Sequence, residues 1–231
     1  MRFTDQDRLF VLTGAGVSAE SGLATFRGSG GLWNGHRVED VATPEAWEAD
    51  PALVWRFYSQ RRRDAAAAQP NAAHLALAEL ERQMPGRFYL CTQNVDDLHE
   101  RGGSKNLHHM HGQLFESRCE QCAKPFADRN FYEDAGSLPT CQICASAIRP
   151  HIVWFGEVPL DMDGIYRELD RTTALLVVGT SGSVYPAAGL VHIANRQRIR
   201  TIYVGPEEPL NAEAFSEVLL GPATQVLPTL L

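Results

Sequence analysis

Four cysteines stand in two pairs, Cys119-x-x-Cys122 and Cys141-x-x-Cys144, separated by the eighteen residues 123–140. Two such turns can offer four sulfurs to one tetrahedral ion, and a shell filled by protein leaves no place for water or substrate. The spacing therefore predicts a structural zinc. The fifth cysteine, Cys91, leaves an odd count that argues against disulfides, and at the end of an apolar run it reads as a core thiol. A second group is Asn106-Leu107-His108-His109-Met110-His111-Gly112. Side chains alternate along a strand, so only His109 and His111 share a face, and no cysteine or carboxylate nearby completes a metal set. A lone neutral imidazole suits proton transfer near neutral pH, as it also suits a packed, hydrogen-bonded position. Thr92-Gln93-Asn94-Val95-Asp96 offers amides and a carboxylate for a ribose and a carboxamide, or an Asx turn that caps the next helix. Gly14-x-Gly16-x-x-Ala19, with the acidic Glu39-Asp40 pair about 20 residues on, fits the loose dinucleotide fingerprint. Tyr58 and Arg61, three apart, share a helix face where phenol and guanidinium can converge on a carboxylate; with Arg62 and Arg63 they also read as a basic, solvated face.

Those residues need elements to hold them. Arg8 to Leu12 is an apolar run of strand formers ending in a glycine turn and a helix start, whose amides favour a pyrophosphate. Further strands read at Arg87 to Cys91, Thr173 to Val178 and Arg200 to Val204, and Arg149 to Glu157 begins another. Asp50-Pro51 opens a helix, Ala72 to Arg82 reads as a second with Leu75, Leu77 and Leu80 on its apolar face, and Ala187 to Arg196 as a third. His74 belongs to helix packing rather than to a metal. This order predicts an α/β fold: a doubly wound, mainly parallel, Rossmann-like sheet with a small inserted zinc-binding and helical domain. The expected division is 1–36, 70–114 and 151–231 for the nucleotide-binding domain, 37–69 for the helical insertion and 115–150 for the zinc module. The net charge of -7 gives no general attraction to nucleic acid or anionic membrane and favours basic peptides. No apolar run approaches the ~20 residues that cross a bilayer, and the first residues lack a signal peptide's hydrophobic core, so the expectation is a cytoplasmic protein.

Gly14-Ala15-Gly16-Val17-Ser18-Ala19-Glu20-Ser21-Gly22-Leu23-Ala24-Thr25-Phe26-Arg27-Gly28 closely resembles the opening signature of the sirtuins, NAD-dependent protein-lysine deacylases. Thr92-Gln93-Asn94-Val95-Asp96 with Leu98-His99-Glu100-Arg101, the Met110-His111-Gly112 triplet and Phe155-Gly156-Glu157 follow in the family's order. Ala42-Thr43-Pro44-Glu45-Ala46-Trp47 and Phe57-Tyr58-Ser59-Gln60-Arg61-Arg62 resemble the class III sirtuins, bacterial enzymes included.

The resemblance implies that NAD, as cosubstrate, lies against Gly14, Ala15, Gly16, Ser18, Ala19, Glu20, Phe26, Arg27, Trp33, Gln93, Asn94, Asp96, Gly179, Thr180, Ser181, Gly205, Pro206, Glu207 and Ala223. It implies catalysis by His111 as general base, with Asn94 and Asp96 orienting the nicotinamide and Phe26 shielding the reacting carbon from water. Tyr58 and Arg61 would read an acidic acyl group, with room left by the small Ala46. Val153, Phe155, Gly156, Glu157 and Val184 would hold the acyl-lysine strand by backbone pairing. Gly205 stands where most relatives carry an asparagine, which leaves that adenosine contact to backbone groups. The implied reaction removes succinyl, malonyl, glutaryl or acetyl groups from lysine and gives nicotinamide and O-acyl-ADP-ribose. An ADP-ribosyltransferase, a hydride-transfer dehydrogenase and a non-catalytic reader of acyl-lysine or NAD fit parts of the same pattern; nicotinamide release excludes the dehydrogenase, and loss of turnover with binding retained in His111→Ala separates catalysis from reading.

Overall fold

The computed structural model describes residues 3–25, 32–33, 35–133 and 138–231. The chain begins with β1 (Leu9–Thr13), two short 3-10 turns, a small hairpin of β2 (Leu32–Trp33) and β3 (His36–Arg37), and the helices α1 (Val38–Val41), α2 (Pro44–Ala49), α3 (Pro51–Ala67) and α4 (Ala72–Gln83). It continues through β4 (Phe88–Thr92), α5 (Leu98–Arg101), β5 (Leu107–His109), β6 (Gly112–Cys119), β7 (Pro125–Ala127) and β8 (Ile148–Ile152). The last third holds α6 (Met162–Leu169), β9 (Ala174–Val178), α7 (Leu190–Arg196), β10 (Arg200–Gly205), β11 (Glu217–Leu220) and α8 (Ala223–Val226).

Six strands form one parallel sheet in the order β11-β10-β9-β1-β4-β5. The chain builds outward from β1 through β4 and β5, then returns to the other side of β1 for β9, β10 and β11. The crevice beyond the carboxyl ends of β1 and β9 is therefore the topological switch point where such sheets bind ligands. The central strands β1 and β9 are buried at every position, because helices cover both faces. Leu9 and Val11 pack on one side with Leu77 and Leu80 of α4, whereas Phe10 and Leu12 pack on the other with Ile165 and Leu169 of α6 and Leu190 of α7. Leu75, expected on the apolar face of α4, points away from it and is exposed.

The helix expected after the first glycine turn is replaced by 3-10 turns at Ala15–Val17 and Ala19–Ser21, the second closed by Gly22 in the left-handed region. Gly14 and Gly16 serve close packing instead: a Cβ on either would lie within 2.9 Å of the Gly179 carbonyl oxygen.

A separate core joins α1 to α3 with the antiparallel sheet β7-β6-β8, and includes Trp47, Trp55, Tyr58, Leu114, Ile148 and Trp154. The helices start where the sequence caps them. Thr43 accepts from the Ala46 amide at 3.0 Å and Asp50 from the Leu53 amide at 2.9 Å, each followed by proline. Such caps are worth about 1 kcal/mol each. No helix of the described residues is long and apolar enough to cross a membrane.

Candidate active site

Between the large sheet and the smaller lobe lies a cleft of about 500 Å³. The ends of β1, β4 and β9 supply Gly14, Gln93 and Gly179 on one side; Tyr58 and Arg61 of α3 and the segment Ile152 to Glu157 supply the other.

A polar knot closes its base. Asn94 Nδ2 donates to Ser18 Oγ at 3.1 Å, and Ser18 Oγ donates to Asp96 Oδ2 at 3.2 Å. His74 lies behind, with Nε2 3.4 Å from the same Ser18 oxygen and Nδ1 accepting from the Asn71 amide at 3.2 Å. Since Ser18 already donates to Asp96, His74 is the donor in their contact and is neutral; burial pushes its pKa down to about 4. Burial also pushes the Asp96 carboxyl upward, against the Leu98 amide and the Ser18 hydroxyl that favour the anion. The Asn94 amide donates to Thr92 Oγ1 at 3.0 Å, so backbone and side chain of this residue are both tied.

His111 stands in the turn between β5 and β6. Its Nδ1 donates to the Gln93 carbonyl at 3.2 Å, which leaves the Nε2 lone pair for the cleft. Burial lowers its pKa, so the ring is neutral and able to take a proton at neutral pH. His109 does not share that face, because β5 ends at residue 109. Its ring turns to the Asn94 carbonyl and to Glu100.

The basic run on α3 is not a solvated face. Arg62 is fully buried, donating to the carbonyls of Leu114, Glu116 and Asn130 and pairing with Asp128 at 3.3 Å. Tyr58 is buried too; its oxygen accepts from Trp154 Nε1 at 3.0 Å, leaving its own proton for the cleft. Arg61 is buried, with Nε and Nη1 lacking any hydrogen-bond partner among the described residues and the guanidinium 5.1 Å from the Trp33 ring centroid. Desolvation works against that charge, and only the fields of Asp64, Asp96 and Tyr58 support it. A ligand carboxylate would complete its hydrogen bonds.

The four cysteine sulfurs lie within 4.8 Å of one another. Left-handed Ala123 and Ala145 follow the second cysteine of each pair and fold back to donate to the carbonyls of Cys119 and Cys141 at 2.9 and 2.8 Å. This strained geometry, about 1–2 kcal/mol per residue in an L-amino acid, aims the sulfurs at one point. The Ile143 and Cys144 amides draw the Cys141 thiol down to about 7, whereas contacts with its neighbours push Cys122 up to about 12. Four crowded thiolates need a cation, and the all-sulfur set fits one zinc ion.

Most sequence-predicted site residues meet in the cleft: Gly14, Ala15, Gly16, Ser18, Trp33, Gln93, Asn94, Asp96, His111, Gly179, Thr180, Ser181, Pro206 and Glu207 on the nucleotide side, with Tyr58, Arg61, Val153, Phe155, Gly156, Glu157 and Val184 opposite. Others do not. Ala19 and Glu20 are exposed, and Glu20 bonds the Thr224 hydroxyl instead of facing the cleft. Ala46 packs in the core of the smaller lobe, because the Thr43 cap turns α2 that way, and Ala42 lines the cleft in its place. Gly205 is covered by Tyr203, whose hydroxyl would lie 2.2 Å from a Cβ there, and Ala223 is buried in the sheet core. Glu39 and Asp40 are exposed on α1, both near Arg37. Glu157 is held by Arg149, Arg118 and the Trp154 amide, which makes it a strut of the cleft wall. Phe26 and Arg27 lie outside the described residues. Lining residues to which the sequence assigned no role include Leu23, Trp154, Tyr185, Tyr203 and Leu210; Tyr203 sits on β10 and the others at turns or loops, and only their aromatic or aliphatic type signalled them.

Sheet and site together define an α/β protein that receives an extended polar ligand across a switch point, with a metal-stapled lobe as the second wall. Residues 14–186 match the Sir2 family. The NAD-dependent protein deacylase of Escherichia coli strain K12 is 48% identical over 228 residues, which is 97% of this chain and 81% of that relative. A solved Sir2 homolog–NAD complex superposes with a TM-score of 0.89 at 43% identity, over 98% of this chain and 89% of that one. A Sir2–p53 peptide–NAD+ complex does so at 0.83 and 29% identity, over 97% and 92%. The chain belongs to the Sir2 family.

Proposed function

We propose that this chain is an NAD-dependent protein-lysine deacylase whose preferred substrates carry acidic acyl groups. The observation that carries the acyl choice is the Arg61 guanidinium, buried with two nitrogens unpartnered among the described residues, beside the Tyr58 hydroxyl and in the same cleft as His111. A succinyl, malonyl or glutaryl carboxylate satisfies both side chains, and an acetyl group fits the same space without that gain. When bound, NAD supplies the electrophilic ribose carbon that captures the acyl oxygen.

The chain's own groups do the rest. Asn94 and Asp96, braced by Ser18, hold the carboxamide end. Gln93 and the backbone of Gly14, Ala15 and Gly16 take the ribose and phosphates, with Thr180, Ser181, Pro206 and Glu207 toward the adenosine. His111 Nε2 removes a proton from a ribose hydroxyl. The substrate strand lies between Phe155-Gly156-Glu157 and Val184, with Val153 along the lysine. Residues 1–36, 70–114 and 151–231 form the nucleotide-binding domain, and 37–69 with 115–150 the lobe that reads the acyl group. Four reduced thiols and an NAD supply both suit the cytoplasm. A negative chain favours basic protein segments over nucleic acid.

Turnover of matched acetyl-lysine and succinyl-lysine peptides with NAD, followed by mass spectrometry, tests this. Nicotinamide and O-acyl-ADP-ribose should form together, faster from the succinyl peptide. ADP-ribose attached to protein instead would make the chain a transferase, and no nicotinamide from either peptide would falsify the deacylase reading.

A further inference from the structure

His109 lies between two oxygens. Its Nδ1 is 2.8 Å from the Asn94 carbonyl and its Nε2 is 2.7 Å from Glu100 Oε1. A carbonyl only accepts, and a carboxylate open to water is ionised at neutral pH and also only accepts. The Glu100 side chain is 39% exposed and that of His109 6%. A neutral imidazole has one N–H and would press a lone pair against one of these oxygens. Both contacts are satisfied only when both nitrogens carry protons.

We infer that His109 is a doubly protonated positioning residue, which fixes Asn94 through its backbone carbonyl and sets a positive charge behind Asp96, so that NAD binding weakens when the proton is lost. This rests on the reading of Asn94 and Asp96 as the nicotinamide contacts. His109 touches neither the cleft nor a substrate; it acts on Asn94 from behind.

Asn94 is held at three points: its amide by Thr92, its side chain by Ser18 and its carbonyl by His109. On deprotonation the ring keeps the charge-assisted Nε2–H to Glu100, and the Asn94 carbonyl then faces a lone pair. The peptide plane between Asn94 and Val95 loses its His109 partner on that side, and the Asn94 side chain moves with it. The neighbouring charges agree with a cation. Glu100 and Asp96 face the ring from α5 and from the loop after β4. Lys105, His108 and His151 share with it a hollow of about 280 Å³, and neutral His99 lies behind. Burial opposes the charge, yet Glu100, the Asn94 carbonyl and Asp96 together hold the His109 pKa above the usual histidine value. Because it is raised, the proton is present at and below pH 6.5 and leaves only as pH rises through the higher folded value.

The test combines ring-nitrogen NMR of 15N-histidine protein with KM for NAD between pH 6 and 10, using wild type, Glu100→Gln and His109→Gln. Two imidazolium-type nitrogens should persist for His109 above pH 6.5. KM for NAD should rise roughly tenfold in wild type as that signal titrates, the scale of one charge-assisted hydrogen bond, with KM for the peptide unchanged. Glu100→Gln should move both transitions to lower pH. His109→Gln keeps an N–H for the Asn94 carbonyl and should remove the rise. Neutral ring signals at pH 7, or an unchanged rise in His109→Gln, overturn the inference. The spectra and Glu100→Gln decide it even if His109→Gln does not fold. Failure of wild type to release nicotinamide instead sinks the deacylase reading, while the spectra still decide the charge of His109.

Discussion

The Arg61 guanidinium stacks 5.1 Å from the Trp33 ring centroid, and the neighbouring Tyr58 hydroxyl is pinned by Trp154 at 3.0 Å. A buried cation with open hydrogen-bond capacity costs stability in the free protein and is repaired by an anionic ligand. Arg61→Met therefore raises the unfolding free energy by about 1–2 kcal/mol, read as a higher denaturant midpoint. The same change lowers kcat/KM for a succinyl-lysine peptide about 30-fold or more and leaves the acetyl peptide within a few-fold. Equal losses on both peptides would mean that Arg61 only supports the fold.

His111 is neutral because burial holds its pKa below the ordinary value of 6.5. The acidic limb of the kcat profile should therefore fall below pH 6.5, since the base works only unprotonated. His111→Ala lowers kcat by about 10³-fold, within the range of general-base losses, while calorimetry still detects NAD and peptide.

His74 and His99 face each other at 4.9 Å, both fully buried, and burial lowers both pKa values, that of His74 to about 4. The unfolded chain then binds protons that the folded one refuses. Their stabilising effect is complete above pH 6.5 and is lost as pH falls toward 4, at a cost of about 3 kcal/mol from His74 alone. Urea midpoints between pH 7 and 4.5 should drop steeply. In His74→Gln the slope is shallower, and a glutamine at this third helical position can still accept from the Asn71 amide, so the capping box is kept.

Removing metal should loosen the smaller lobe first. One zinc per chain is expected by elemental analysis. A strong chelator lowers the melting temperature and disorders β6 to β8 in hydrogen exchange, leaving β1 and β9 protected. Cys141→Ser gives the same pattern without chelator. Equal loss of protection across the large sheet would contradict this order.

The cysteine pairs, Gly14 and Gly16, the Gln93 to Asp96 turn and His111 were legible because each is a local motif in a turn or at a strand end. Arg62 was not. Its run with Arg61 and Arg63 reads as surface, yet its partners Leu114, Glu116, Asp128 and Asn130 come from far along the chain. The missing helix after Gly16 has a related cause: Ser18 is spent on Asn94 and Asp96, and Gly22 turns the chain before an α-helical ladder can form. Gly205 stands out in the sequence as a departure from the family, but its counterpart, the Tyr203 ring that fills the space, lies two residues earlier on the same strand and carries no motif.

The chain passes between the sheet and the smaller lobe before α1, after α3, at the turn carrying His111, and again after β8. A body tethered by several separate crossings cannot swing as one hung from a single linker does. On the proposed function, acyl groups of different length would then be accommodated by side chains that change rotamer at a fixed opening. If the proposed acyl site is right, new acyl preferences should be reachable by substituting a few cleft-lining residues, Ala42, Tyr58 and Arg61 first, without redesign of the lobe that carries them.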